Sequence, residues 1–295
     1  MPTAIRKMLK EEVNALVSLI DDPAPEVFEA VSQRLYELGR DAIPVLEEYW
    51  AHSTNEYQQK LIEGVLQRIN DNIAGEEARN WLAKGCKDIV EGAHLVAHLL
   101  FPELPLSDLQ LQVDKLAKEV WLEINNNLTA FEKVKVINRV LYEEYHYSPD
   151  PLNLFAPHYF ALNHVILTKK GNPLSLSLLY MAIAQQLGMP IYGISLPRNF
   201  ILAYKDPYHG DDDTLPVSQR VLFYINPFNR GSVLSKKEID YYLNQIKETP
   251  IDAYYLPCDN RTSIIKVLEN LKLVYDQAKN EAQVARVEAL LKIIG

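Results

Sequence analysis

The side chains able to do chemistry are few and scattered. The chain of 295 residues has two cysteines, Cys86 and Cys258, and seven histidines. A thiolate is a strong nucleophile, but it needs a base or a positive field beside it. Cys258, in Leu256-Pro257-Cys258-Asp259-Asn260, precedes a helical pattern. It reads as a half-buried loop thiol, with a displaced nucleophile as the chemical alternative. His94 and His98 are four residues apart with Glu91 one turn earlier, a spacing that can hold a metal ion. No second ligand cluster accompanies them, so they read as packing or surface histidines and no metal is expected. His158 and His164 flank the central motif, where either could act as a base. Asp211-Asp212-Asp213 is acidic enough for calcium, but it lacks the spaced ligand series and reads as a solvated hairpin tip.

Charge and composition narrow the partners. Lys and Arg number 30 and Asp and Glu 39, for a net charge of −9 and a pI near 5.3. A phosphate-backbone binder needs a basic face, so a nucleic-acid partner is not expected. Apolar residues at 48% and charged residues at 23% are ordinary globular values. Eleven glycines disfavour a glycine-rich nucleotide loop and favour helix, and no cofactor is expected. No CxxC pair, no leader-like apolar stretch near the start and no run of about 18 apolar residues occurs. With a mean hydropathy of −0.14, a cytoplasmic protein with no membrane partner is expected.

The elements that must position these groups follow from periodicity. Residues 1–104 read as helix throughout. Val13, Leu16, Val17 and Ile20 form one stripe, and Asp21-Asp22-Pro23-Ala24-Pro25 breaks it. Val27, Ala30, Val31 and Leu35 form the next, which Gly39 ends before Ala42-Ile43-Pro44-Val45-Leu46 opens a third. Leu61, Val65, Leu66 and Ile69 continue the pattern. The order resembles a HEAT-type helical repeat, although a plain bundle has the same spacing. Helices are predicted over 106–126 and 130–146, then an extended aromatic linker. Pro173 to Leu187 reads as a helix with Leu176, Leu179, Tyr180, Ile183 and Leu187 on one face, stopped by Gly188 and Pro190. Strands follow at 191–196, 200–204 and 221–225. The tryptophans Trp50, Trp81 and Trp121 all fall on helices and are expected in the core. The C-terminal part, 236–295, returns to helix and ends in a pair turning at Asn280. That pair resembles a single tetratricopeptide-type hairpin, and two ordinary packing helices would look much the same. The fold class is mostly α, α+β: a repeat-like region (1–104), a central helix with a small antiparallel sheet (105–235) and a helical hairpin segment (236–295).

One stretch carries a resemblance. Leu162-Asn163, Val165, Gly171-x-Pro173, Leu176-Ser177, Leu179-Tyr180, Leu187-Gly188, Pro190, Leu196-Pro197, Phe200, Pro227-Phe228 and Gly231 together resemble the SirB-type branch of the transglutaminase-like superfamily. The resemblance implies a Cys at the start of the central helix, a His on the next strand and an Asp on the strand after. Together these would do acyl transfer, amide hydrolysis or deamidation. The nucleophile slot falls at or near Pro173, where the nearest hydroxyls are Ser175 and Ser177. The base should precede Phe200; the SirB-type branch has Pro-Gly-His-Phe there, and this chain has Pro197-Arg198-Asn199-Phe200. The orienting acid should precede Pro227, and the chain has Asn226.

Ser175, Asn199 and Asn226 cannot run that chemistry as a triad. A serine needs a general base, and a carboxamide does not titrate near neutrality. What the resemblance leaves is a helix start facing amides. That is a polar site drawn from Asn163, Asn172, Ser175, Asn199 and Asn226, able to bind a peptide backbone or a carboxylate, or simply to satisfy itself. The expected function is a catalytically degenerate, cytoplasmic protein- or peptide-binding module. The alternative is a re-equipped amidohydrolase or acyltransferase using Ser175.

Overall fold

Prolines and caps decide where the early helices begin. In the computed structural model, which describes residues 3–295, α1 (Thr3–Val17) is followed by α2 (Pro25–Leu38), with Pro25 in its first turn and Gly39 past its end. Next come α3 (Ile43–His52), with Pro44 in its first turn, and α4 (Glu56–Ala83). Two compact units are formed, one ending at Glu77 and one running from Ala78 to Gly295. The core of the first draws on the stripes the periodicity picks out, with Val13, Val17, Ile20, Val31, Leu35, Leu46, Val65 and Ile69 buried; Ile62, outside those stripes, is buried too, and Ala30 is exposed. Ion pairs Lys10–Glu48 at 2.9 Å and Arg34–Glu12 at 2.7 Å brace its exposed side.

Residues 78–104 belong to the second unit, so this unit starts well before the expected boundary at 104. There α5 (Ile89–Leu100), capped by Asp88, is buried from Ile89 to Leu99 except at Glu91. After α6 (Leu106–Glu123), a Thr129/Glu132 capping box opens α7 (Ala130–Asn138). The helix expected over 130–146 does not stay α: Arg139–Glu144 widens into a π-turn. The two-residue strand β1 (Ser148–Pro149) pairs in parallel with β2 (Lys170–Gly171) across α8 (Leu162–Thr168).

The central helix α9 (Pro173–Gln186) differs from its predicted form in a telling way. Every residue from Leu174 to Ala184 is buried, so it is not an amphipathic surface helix but one enclosed on all sides. Beside it lies an antiparallel meander: β3 (Ile191–Leu196), β4 (Asn199–Lys205), then α10 (Val217–Arg220) leading into β5 (Val221–Asn226), and β6 (Ser232–Leu234). The fourth strand has no counterpart in the sequence reading. One sheet face is closed by α11 (Lys236–Gln245), with Ile194, Leu196, Ile201 and Ala203 packed on Ile239 and Leu243. The chain ends in α12 (Asn260–Gln277) and α13 (Glu281–Ile294), with Asn280 capping the latter.

The class is mostly α, α+β, as expected. Of the three tryptophans only Trp81 is core; Trp50 and Trp121 are exposed. Among the described residues no helix is long and apolar enough to cross a membrane.

Candidate functional site

The start of α9 is built by Gly171-Asn172-Pro173. A Cβ on Gly171 would stand 2.8 Å from Ser175 Oγ, so only glycine lets β2 run this close to the first helical turn. Asn172 is the N-cap: its Oδ1 accepts from the Ser175 N–H at 2.9 Å, while the Asn172 N–H donates to Ser175 Oγ at 3.1 Å. Ser175 is fully buried, and Ser177, equally buried, donates its hydroxyl to the Pro173 carbonyl at 2.7 Å. Both hydroxyls nearest the nucleophile slot are therefore buried and hydrogen-bonded within the helix start. Pro173 has no N–H and Ser175's is taken, so the first turn offers a ligand only the Leu174 N–H.

Asn226 has also become part of the scaffold. Its Oδ1 accepts from the Asn229 N–H at 3.3 Å, and its carbonyl accepts from the Gly231 N–H at 2.9 Å. The turn it opens is tied to the interior. Tyr142 donates to the Pro227 carbonyl at 2.8 Å, and Asn138 Nδ2 donates to the Gly231 carbonyl at 2.7 Å. Tyr180 of α9 donates in turn to Asn138 Oδ1 at 3.0 Å. Burial pushes the Tyr142 and Tyr180 hydroxyls well above their ordinary range, so both remain neutral donors. Gly231, at φ 68°, is required: a Cβ there would lie 1.9 Å from Asn138 Oδ1.

Asn199 has a different setting. The β4–β5 pairing stops at Leu202/Ile225, so Asn199 runs three residues past it, at the mouth of the β3–β4 turn. Its Oδ1 accepts from the Phe200 N–H at 2.8 Å. The turn residues are Pro197 and Arg198, and Arg198 sits at φ 60°. Following a proline, that position favours glycine or asparagine, and another residue there costs about 1 kcal/mol.

Asn199 and Asn172 meet at one cavity of about 440 Å³. Its walls are the start of α9 (Asn172, Pro173, Leu174), the β3–β4 turn (Arg198, Asn199, Phe200), the linker residues Leu154, Phe155 and Phe160, and α12 (Lys266, Asn270, Leu273). None of the lining residues is a Cys, Ser, His, Asp or Glu. Ser175, Asn226 and Asn163 do not line it. Asn163 lies on α8, its Oδ1 out of solvent and without a hydrogen-bond partner among the described residues.

The remaining candidates lie elsewhere. His158 and His164 stand ring to ring at 4.5 Å, with His164 also stacked on Phe101, and neither lines the cavity. Burial, then the charge of His158, holds His164 below the ordinary imidazole range. Cys258 has its thiol pushed up by burial, 3.5 Å from Ser263 Oγ, which is the reverse of an activated nucleophile. His94 is buried and its Nε2–H donates to the Leu104 carbonyl at 2.9 Å. Asp211 pairs with Lys205 at 2.9 Å and Asp213 with Arg220 at 2.6 Å, so ion pairs hold the acidic tip.

Arg198, Lys266, Asn270 and Leu273 escaped the sequence reading. The only local signal was a long cation in a two-residue turn after proline.

Comparisons with known proteins follow the same stretch of chain. The sequence model of the family described as the transglutaminase-like superfamily matches residues 107–269. A UPF0162 protein of Xylella fastidiosa is 25% identical over 213 residues, covering 70% of this chain and 72% of that protein. A UPF0162 protein of Vibrio cholerae is 28% identical over 156 residues, 53% of either chain. F-box only protein 21 of Mus musculus is 34% identical over 113 residues, 37% of this chain and 17% of its own. No solved structure gives a significant match.

Proposed function

The chain belongs to the transglutaminase-like superfamily, and from that premise we propose that it is a non-catalytic member whose cavity at the start of α9 binds peptide. One observation carries the reading: the lining of that cavity holds amides, cations and apolar groups, but no nucleophile and no group that titrates near neutrality. The hydroxyl nearest the nucleophile slot, Ser175, is sealed into a helix cap. A concave site of this size with apolar walls and a few convergent polar groups is suited to binding.

Within the superfamily the residue pattern fits the SirB-type branch. We read the first helical unit as HEAT-like and the α12–α13 hairpin as tetratricopeptide-like, both surfaces of a kind that serve protein partners. The partner is a protein or peptide in the cytoplasm, not a nucleic acid or a membrane.

The test pairs binding with turnover. Fluorescein-labelled degenerate heptapeptide pools should bind saturably by anisotropy. Leu273→Trp should abolish that binding, because Leu273 is half exposed and its replacement fills the cavity without touching the core. Amide and ester substrates should not turn over. Hydrolysis that Ser175→Ala abolishes would make the chain an amidohydrolase or acyltransferase, and no saturable binding would remove the peptide reading.

A further inference from the structure

We infer that the peptide group taken by this cavity is a free C-terminal carboxylate whose last residue is apolar; the inference rests on the peptide-binding reading above. Charge points there first. The chain as a whole is at −9, yet the cavity is lined by Arg198 and Lys266 and by no carboxylate. Arg198 forms no ion pair among the described residues, and Lys266 has only Glu269 of its own helix, at 3.6 Å. Two cations facing one cavity without an internal anion are complementary to an anion from outside.

Arg198 sits in the left-handed region at φ 60°, as six other non-glycine residues among those described do, and its side chain is exposed beside the cavity.

The apolar walls then choose among anions. Phe155 is 65% exposed and Leu273 50%, a large apolar surface left open beside the cations. An internal Asp or Glu would need a second residue to cover that surface. A C-terminal Leu or Phe carries carboxylate and apolar side chain on a single Cα, which brings both within one cavity of about 440 Å³. Asn172 and Asn270 spend their amide groups on the Ser175 N–H and the Leu154 and Lys266 carbonyls, but Asn199 uses only its Oδ1, so its amide N–H is suited to the carbonyl of the peptide bond before the terminal residue. A fatty acid shares the carboxylate and the apolar chain but offers no peptide bond.

The experiment compares two fluorescein-labelled heptapeptide pools on the full-length protein, both ending in Leu, one as free acid and one as C-terminal amide. The acid pool should bind roughly tenfold tighter than the amide pool, the margin of a charge-assisted contact. Arg198→Gly should erase that margin while leaving the denaturation midpoint unchanged or raised, because it relieves the turn. A structural role for Arg198 would instead lower the midpoint. Equal binding of acid and amide pools overturns this inference and leaves peptide binding standing. Absence of binding by either pool overturns both. Binding of dodecanoate without binding of the acid pool assigns the carboxylate to a lipid and overturns the peptide assignment.

Discussion

Two turns at the same end of the sheet, where β5 finishes and β4 begins, have been put to different uses. In the Asn226–Gly231 turn the polar groups face inward and are bonded: Tyr142 holds the Pro227 carbonyl, and Asn138 holds the Gly231 carbonyl and receives the Tyr180 hydroxyl. Each turn carries an exposed arginine in the left-handed region, but Arg230 donates to the Tyr142 carbonyl at 3.3 Å while Arg198 forms no ion pair among the described residues and borders, with Asn199, an open cavity. Both turns stand where the superfamily resemblance implies a catalytic residue. The polar groups of one are bonded within the fold, and those of the other border a cavity that we propose meets a ligand. Residues of the first turn should therefore govern stability, and residues of the second should govern binding.

The largest effect tests the buried turn. Gly231→Ala forces a Cβ against Asn138 and a left-handed alanine, and should cost about 3 kcal/mol in chemical denaturation, the sum of strain and a lost buried hydrogen bond. A cost under about 1 kcal/mol would show that the turn gives way and that the contrast is overdrawn. Next in size is Asn138→Leu, which strands the Gly231 carbonyl and leaves the Tyr180 hydroxyl only the Val134 carbonyl at 3.4 Å, at about 2 kcal/mol. Tyr180→Phe in that background should cost less than Tyr180→Phe alone, because its shorter partner is already gone. Equal costs in the two backgrounds would mean that Asn138 and Tyr180 do not act as one network. Neither variant should change the affinity of the folded protein for the peptide pools.

Ser175→Ala sharpens the comparison from inside the nucleophile slot itself. It removes half of the α9 capping box and should destabilise by about 1 kcal/mol, with peptide affinity intact. Loss of binding at unchanged stability would return Ser175 to the functional site.

The sequence made the frame of this arrangement legible and left its use hidden. Pro173, Gly188 and the β-branched and aromatic residues Ile191, Tyr192 and Ile194 set α9 and β3 by local rules, which hold whatever packs around them. The enclosure of α9 on every side was not legible, because Leu174, Ser175 and Ser177 belong to no single apolar stripe and are buried by elements far along the chain. Ser175 matched a hydroxyl near a reactive slot, but three residues after the Asn172 backbone it is equally placed to close a capping box, and that is where it stands. The cavity was illegible for a third reason. Leu154, Arg198 and Leu273 come from three separated segments and meet only through the tertiary fold.

The smallest predicted effect concerns the histidine pair, which belongs to neither turn and so serves as a control on both. His164 is held below the ordinary imidazole range by burial and by His158. Unfolded, it titrates near pH 6.5. Between the two values the unfolded chain binds more protons, so stability declines as pH falls from about 7 through the folded value and is level for this group below it. Carboxylates held low in the fold, such as Asp150 beside the Tyr159 hydroxyl, lose their contribution only below about pH 4 and stay outside that window. The urea midpoint of the native protein should therefore drop more between pH 7.5 and about 5.5 than that of His164→Phe. The difference should be slight, because the ring is partly exposed and water screens the penalty. The acid-over-amide preference of the cavity should not follow this titration, since neither His158 nor His164 lines the cavity. A preference that faded in step with His164 would couple to the site a histidine pair that does not line the cavity.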